Sequence, residues 1–121
     1  MFQIRDDHEQ AFERTAQENF EGRAILHLRA NFAAQTAGCS DEALRGRVRD
    51  CIDRAGKYGL TTERQVMSFV TATYVAGEHF DTAPEHPWAF PILRDSEFSS
   101  DQKARLLVTF AHLRGGSATW E

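Results

Sequence analysis

The chain has 121 residues, of which 41% are apolar and 26% are charged. This length and composition are typical of one globular domain, residues 1–121, with a single hydrophobic core, and they exclude a mostly disordered chain. The net charge of −4 argues against nucleic acid as a partner, because phosphate binding requires concentrated Lys and Arg, whereas the arginines here alternate with acids.

Membrane insertion and export are not expected either. No apolar run approaches the ~20 residues that a membrane-crossing helix needs, and the N-terminal sequence MFQIRDDHEQAFER carries too many charges for a signal peptide. The sequence therefore predicts no membrane partner and a cytoplasmic localisation. Cys39 and Cys51 do not form a CxxC pair, and in a reducing compartment we expect two free thiols.

The first helix is expected to begin near Asp6 or Asp7, whose carboxylates suit the positive end of a helix. Ile25 and Leu26 widen its apolar stripe in the second half. Gly22 predicts a kink or a close helix contact. The stripe itself recurs every four residues and consists of Phe12, Ala16, Phe20, Ala24, Leu28 and Phe32.

A second helix is predicted to begin at Ser40 or Asp41, after residues 33–38 interrupt the apolar pattern. Tyr58 and Gly59 provide a stop, because glycine can adopt the left-handed conformation that closes a helix. The buried face is expected to hold Leu44, Val48, Cys51, Ile52 and Ala55. The charged residues between them are expected to lie largely outside: Arg45, Arg47, Arg49, Asp50, Asp53 and Arg54.

The third helix is predicted to be the central one. Thr62 and Gln65 fit a capping box at its start, and Gly77 ends it. The β-branched residues could suggest a strand, but the cap and the length favour a helix. Few polar positions interrupt its apolar residues, which are Val66, Met67, Phe69, Val70, Ala72, Tyr74, Val75 and Ala76.

A loop over residues 78–87 follows, and Pro87 is expected in the first turn of a short helical piece that carries Trp88, Phe90, Ile92 and Leu93. Ser99 and Gln102 form a second capping box. The last helix is expected to bury Leu106, Leu107, Phe110 and Leu113 and to end at Gly115 and Gly116. The predicted fold is all-α: an irregular bundle of four main helices and one short helical segment.

The strongest candidate for a reactive site is an imidazole and carboxylate group in the loop: Glu78, His79, Asp81, Glu85 and His86. These side chains can bind zinc or iron. However, no HExxH helix accompanies them, and the sequence leaves open whether His79, Asp81 and His86 bind a metal or whether Asp81 caps a turn beside solvated histidines. Because the chain shows no nucleophile elbow and no phosphate-binding glycine loop, we expect neither an enzyme nor a cofactor site.

Aromatic residues gather around the proline- and glycine-rich segments, and we consider them the best candidates for partner binding. Rigid aromatic rings supply contact area at low entropic cost and are enriched at interface hot spots. The same rings could instead cover the hydrophobic core, and one ring can do both. The predicted partner-binding residues are Phe80, Trp88, Phe90 and Trp120, with Asp81 and Glu85 supplying polar specificity.

Five segments of the sequence carry a family resemblance: RDDHEQAF, HLRANF, AGKYGLTTERQV, GEHFDTAPEHPWA and ILRD, which begin at residues 5, 27, 55, 77 and 92. With them the chain resembles the small helical proteins encoded beside type VI secretion spike and effector genes of Gram-negative bacteria. The resemblance implies a protein partner, namely a secreted effector, a spike protein or a toxin. It implies an adaptor or chaperone for an effector, or alternatively an immunity protein whose negative charge suits a basic toxin.

Overall fold

The computed structural model describes residues 14–84 and 86–112, and helices are the regular structure within them. The helices are α1 (Arg14–Asn31), α2 (Ala33–Thr36), α3 (Asp41–Lys57), α4 (Glu63–Val75), α5 (Ala89–Arg94) and α6 (Ser100–Phe110). The predicted all-α class is confirmed: α1, α3, α4 and α6 are the four main helices, and α5 is the short segment. The four-residue α2 was not predicted. The predicted helix start at Asp6 or Asp7 and the residue Phe12 lie outside the described residues.

The apolar stripe faces the core as its spacing predicts: Phe20, Ala24 and Leu28 on α1 and Phe32 just after it are buried, and Ala16 is half-buried. Ile25 is also buried, but Leu26 is 70% exposed, so the prediction that it widens the stripe is wrong. Residues two positions apart on a helix point to different sides, and residue 26 falls on the outer side between Ala24 and Leu28.

Gly22 does not mark a close approach of another helix. An added Cβ at this position would meet nothing within 4 Å, and α1 continues through it from Arg14 to Asn31. The predicted close helix contact at Gly22 is therefore wrong. The glycine lies on a half-buried part of the helix where a larger side chain has room.

The limits and the inner face of α3 agree with the sequence prediction. The Ser40 hydroxyl oxygen accepts a hydrogen bond from the Ala43 N–H at 3.0 Å, which caps the helix start. Gly59 follows the end with φ of 84°, in the left-handed region that closes helices. The predicted inner residues are all buried: Leu44, Val48, Cys51, Ile52 and Ala55.

The central position of α4 is also as predicted, because this helix contacts α1, α3 and α6. Its capping box is complete: the Thr62 hydroxyl oxygen accepts from the Gln65 N–H, and the Gln65 side-chain oxygen accepts from the Thr62 N–H. Gly77, at φ of 126°, allows the chain to leave the helix and enter the loop. The β-branched residues of α4 do not prevent the helix, because intrinsic propensity is a weak preference that tertiary packing overrides.

The last two helices close the bundle, and α6 packs against both α4 and α5. Ser99 and Gln102 form the second predicted capping box. Pro87 lies before α5 and Trp88 is its N-cap, so the expected helical start at Pro87 is displaced by two residues. On α6, Leu107 is buried as expected, whereas Leu106 and Phe110 are half-buried. The predicted Leu113, Gly115 and Gly116 lie outside the described residues.

Candidate partner-binding site

The loop that joins α4 to α5 is anchored in the core by Phe80. This side chain is fully buried, and its ring lies 5.1 Å from the ring of Phe69 on α4. A ring with no exposed surface offers nothing to a partner while the bundle is folded, so of the two predicted roles the structure favours core packing over partner contact for Phe80. Phe80 instead determines where the loop lies.

A second anchor of this loop is Asp81. One carboxylate oxygen accepts a hydrogen bond from the guanidinium of Arg54, and the other accepts one from the Tyr58 hydroxyl at 2.8 Å. Asp81 is only 5% exposed, so the structure favours a role within the fold over the predicted contact with a partner. Arg54 also donates to Asp50 at 3.2 Å, so its charge is compensated on two sides.

The environment of Tyr58 favours its neutral form. Burial raises the pKa of Tyr58 to about 12, and the hydrogen bond to Asp81 and the negative charge of that carboxylate act in the same direction. The phenol therefore remains a hydrogen-bond donor to Asp81 at neutral pH. This donor and the guanidinium of Arg54 together hold the carboxylate in the interior.

Trp88 covers the core next to this loop. Its ring lies 6.0 Å from the ring of Phe80 and 5.9 Å from that of Phe110, with interplanar angles of 27° and 25°. The ring of His86 approaches it edge-on at 6.0 Å. Trp88 is half-buried, and its Nε1–H is buried without a partner among the described residues. The structure thus gives Trp88 a packing role, and only part of its side chain reaches the surface.

Among the predicted contact residues that the structure describes, Phe90 is the most accessible. It is 42% exposed, and among the described residues only Leu26 is another large apolar side chain that is classed as exposed. The Tyr58 ring meets its edge at 6.5 Å, and the Arg94 guanidinium lies 5.3 Å from its ring centre. Residues Tyr58, His86, Pro87, Phe90 and Arg94 form what we name the Phe90 corner.

A depression of about 330 Å³ adjoins Phe90 and is part of the same surface. It is lined by Asp81, Thr82, Ala83, His86, Pro87 and Phe90. Proline and alanine supply apolar walls, and the Asp81 oxygens are already bound to Arg54 and Tyr58. The depression can therefore receive a small apolar side chain next to the Phe90 ring.

Two predicted partner-binding residues, Glu85 and Trp120, lie outside the described residues. The metal hypothesis rested on Glu78, His79, Asp81, Glu85 and His86. Within residues 14–84 and 86–112, no three His, Cys, Asp or Glu side chains lie close enough to hold a metal ion.

The interior contacts of the arginines on α3 were not predicted from the sequence, which placed these side chains largely outside the buried face of the helix. Arg54 binds the loop through Asp81, and Arg47 lies 3.8 Å from the ring centre of Tyr74 and donates to the Thr73 carbonyl. The four-residue spacing of Arg54 and Tyr58 puts both on one helix face, which was the available signal. It could not identify Asp81, 27 residues away from Arg54, as their shared acceptor.

A buried carboxylate at the other end of α3 was also missed. Glu21 on α1 is fully buried and accepts hydrogen bonds from Arg45 at 2.7 Å, Arg49 at 3.0 Å and Gln17 at 2.9 Å. Burial alone would raise the pKa of Glu21, but the hydrogen bonds from Arg49, Gln17 and Arg45 outweigh it and lower the pKa. This cluster joins α1 to α3 and takes no part in the Phe90 corner.

Comparison of the chain with protein-family models, with curated proteins and with solved structures finds no match. Within the described part of the chain, no helix has both the length and the apolar character that crossing a bilayer requires.

Proposed function

We propose that this chain is a non-catalytic, protein-binding accessory factor, an adaptor or chaperone for a type VI secretion effector. The observation that carries the proposal is Phe90, an exposed aromatic ring held on a fixed surface. The resemblance of the sequence to proteins encoded beside spike and effector genes supplies the class of partner.

The Phe90 corner is suited to binding because its shape is formed before a partner arrives. Asp81 ties the loop to α3, Phe80 anchors it in the core, and Trp88 stacks between Phe80 and Phe110. A surface that is already ordered loses little conformational entropy on association. Complete burial of a phenylalanine side chain contributes about 1.5–3 kcal/mol, so covering the exposed part of Phe90 supplies a fraction of that.

In the proposed mechanism, the corner holds a segment of the effector before delivery. An apolar side chain of the effector lies against Phe90 and enters the adjoining depression beside Ala83 and Pro87. The segment is shielded from water and from other chains until the effector reaches the spike. Release of the effector requires no chemical step, because its contacts with the Phe90 corner are all non-covalent.

Co-purification with the products of neighbouring genes tests this function. We expect the tagged chain to capture an effector or spike protein, and we expect Phe90→Ser to reduce the capture strongly. Leu26→Ser is the matched control, because Leu26 is the other exposed large apolar side chain of the described residues and lies on a different helix. A chain that remains alone with every neighbouring product would refute the proposal, as would equal capture by wild type and Phe90→Ser.

An immunity protein is the second candidate, and the net charge of −4 favours it because an acidic protein associates rapidly with a basic toxin. Co-expression separates the two roles. An immunity protein restores growth of cells that produce the toxin in their own cytoplasm, whereas an adaptor changes only the amount of effector that is exported.

A further inference from the structure

We propose that the segment recognised by the Phe90 corner is acidic: an apolar or aromatic side chain next to Asp or Glu. This inference rests on the proposed function and adds the chemistry of the partner. It follows from the positive charge of Arg94 over the Phe90 ring, which is opposite in sign to the net charge of the whole chain.

The cations next to Phe90 and Tyr58 have no acidic partner among the described residues. Arg94 lies over the Phe90 ring at 5.3 Å, and no salt bridge joins it to any described residue. Lys103 donates to the backbone carbonyl of Tyr58 at 3.2 Å and likewise has no carboxylate partner among the described residues. Arg54, by contrast, pairs with both Asp81 and Asp50.

Two acidic side chains of this region, Asp81 and Asp95, accept hydrogen bonds from other groups. Asp81 is buried and bound by Arg54 and Tyr58. Asp95, which follows Arg94, is half-buried, and one of its oxygens accepts the backbone N–H of Glu97 at 2.9 Å. Arg94, which is exposed, and Lys103, which is half-buried, therefore form no salt bridge with a described residue, on a chain whose net charge is −4.

The distances explain why the apolar and acidic parts of a partner would be neighbours in sequence. The Arg94 guanidinium is 5.3 Å from the centre of the Phe90 ring, which is shorter than the span of two residues of an extended chain, about 6.6 Å. An apolar side chain on Phe90 thus places the next carboxylate within reach of Arg94. Arg binds carboxylates with two parallel hydrogen bonds, which gives geometric specificity as well as attraction.

Selection from a phage-displayed library of random twelve-residue peptides tests the inference without knowledge of the natural partner. The wild-type chain serves as target, and binders are then counter-screened on Phe90→Ser, Arg94→Glu and Arg105→Glu. Arg105 is exposed on α6 and, like Arg94, has no salt bridge among the described residues, so Arg105→Glu is a matched control for charge reversal. Circular dichroism and thermal unfolding establish that each variant is folded.

We expect the enriched peptides to contain Asp or Glu next to an apolar or aromatic residue. Loss of a charged hydrogen bond weakens binding by about tenfold or more, so Arg94→Glu should weaken these peptides at least that much, and Arg105→Glu should have little effect. A synthetic peptide with its acidic residue changed to Lys should bind Arg94→Glu better than it binds wild type. Affinity should fall as salt rises from 0.05 to about 0.5 M.

The outcomes separate this inference from the proposed function. Neutral or basic peptides that depend on Phe90 would overturn the acidic partner and leave the Phe90 corner as a binding surface. Peptides that bind equally to Phe90→Ser would overturn both. A selection without any enriched peptide also overturns the acidic partner, while the co-purification experiment still judges the proposed function.

Discussion

The guanidinium of Arg54 on α3 donates a hydrogen bond to the carboxylate of Asp81, which lies 27 residues further along the chain in the α4–α5 loop. The two side chains are 16% and 6% exposed. This ion pair connects the C-terminal half of α3 to the loop that precedes the Phe90 corner. A buried charge that loses its partner is strongly destabilising, so the pair couples loop position to the stability of the bundle.

Asp81→Asn removes the negative charge and keeps a side chain of nearly the same shape. We expect the free energy of unfolding to fall by about 3 kcal/mol, because Arg54 then remains buried with less compensation. Urea-induced unfolding followed by circular dichroism measures the change. Asp50→Asn is the control: its carboxylate is 52% exposed, and loss of an exposed pair with i,i+4 spacing changes stability by about 0.5 kcal/mol or less. Equal effects of the two substitutions would contradict the structural role of Asp81.

The raised pKa of Tyr58 predicts that the chain loses stability at alkaline pH. Its pKa is raised to about 12 in the folded chain, whereas an unfolded tyrosine titrates near 10. Between these values the unfolded state releases the proton first, so each rise in pH lowers the free energy of unfolding. The stability advantage of wild type over Tyr58→Phe should be complete below pH ~10 and should shrink as the pH approaches ~12.

Urea unfolding of wild type and Tyr58→Phe at pH 8, 10 and 11.5 measures this advantage. Lys residues and Tyr74 titrate in both chains, so their contribution cancels in the difference between the two free energies of unfolding. Absorbance at 295 nm reports the phenolate directly. An advantage that is the same at all three pH values would show that the phenol of Tyr58 is not held in its neutral form.

The lowered pKa of Glu21 predicts a loss of stability at acidic pH. Because its pKa is lowered in the folded chain, it stabilises the fold at pH above the unfolded glutamate value, and this contribution is lost as the pH falls through and below ~4.3. Hydrogen bonds to charged groups contribute about 1.5–3 kcal/mol, so Glu21→Gln should lower stability by about 2 kcal/mol at pH 7. The difference in the free energy of unfolding between wild type and Glu21→Gln should become smaller as the pH falls to ~3.

Glu63→Gln is the matched control for Glu21→Gln. Glu63 accepts two hydrogen bonds from Arg23, at 2.8 and 3.1 Å, but the side chains are 38% and 59% exposed. Loss of such a surface pair costs about 1 kcal/mol or less. Guanidinium unfolding would mask the charge effects with salt, so urea is the denaturant of choice. A larger effect at Glu63 than at Glu21 would contradict the burial of Glu21.

Gly46 and Gly59 should respond to alanine in opposite directions. Gly46 lies within α3, and an added Cβ meets nothing within 4 Å, so Gly46→Ala should stabilise the chain by about 0.5–1 kcal/mol. Gly59 has φ of 84°, and its added Cβ would lie 3.4 Å from the Ser100 Oγ. Gly59→Ala should therefore destabilise by about 1–2 kcal/mol. Thermal unfolding measures both, and a shift of the same sign for the two variants would contradict the helix boundary at Tyr58.

The features that could be read from the sequence are those that neighbouring residues decide among themselves. A capping box needs only residues three positions apart, so Thr62 with Gln65 and Ser99 with Gln102 marked two helix starts correctly. The inner face of α3 followed from helical periodicity, because an angle of about 100° per residue assigns each side chain to one side. Gly59 and Gly77 marked helix ends for the same local reason.

The site depended on packing between distant segments, and there the predictions from sequence were less successful. Phe80 in the α4–α5 loop and Phe90 on α5 both lie in the proline-containing segment 77–91, yet one is fully buried and the other is 42% exposed. Arg54 was expected outside and instead binds Asp81 in the interior. Periodicity gives the direction in which a side chain leaves its helix, but it does not say which segment, tens of residues away, lies in that direction. The packing of the α4–α5 loop against α3 and against Phe69 on α4 is what brings Asp81 to Arg54. The same packing decides which aromatic ring remains at the surface.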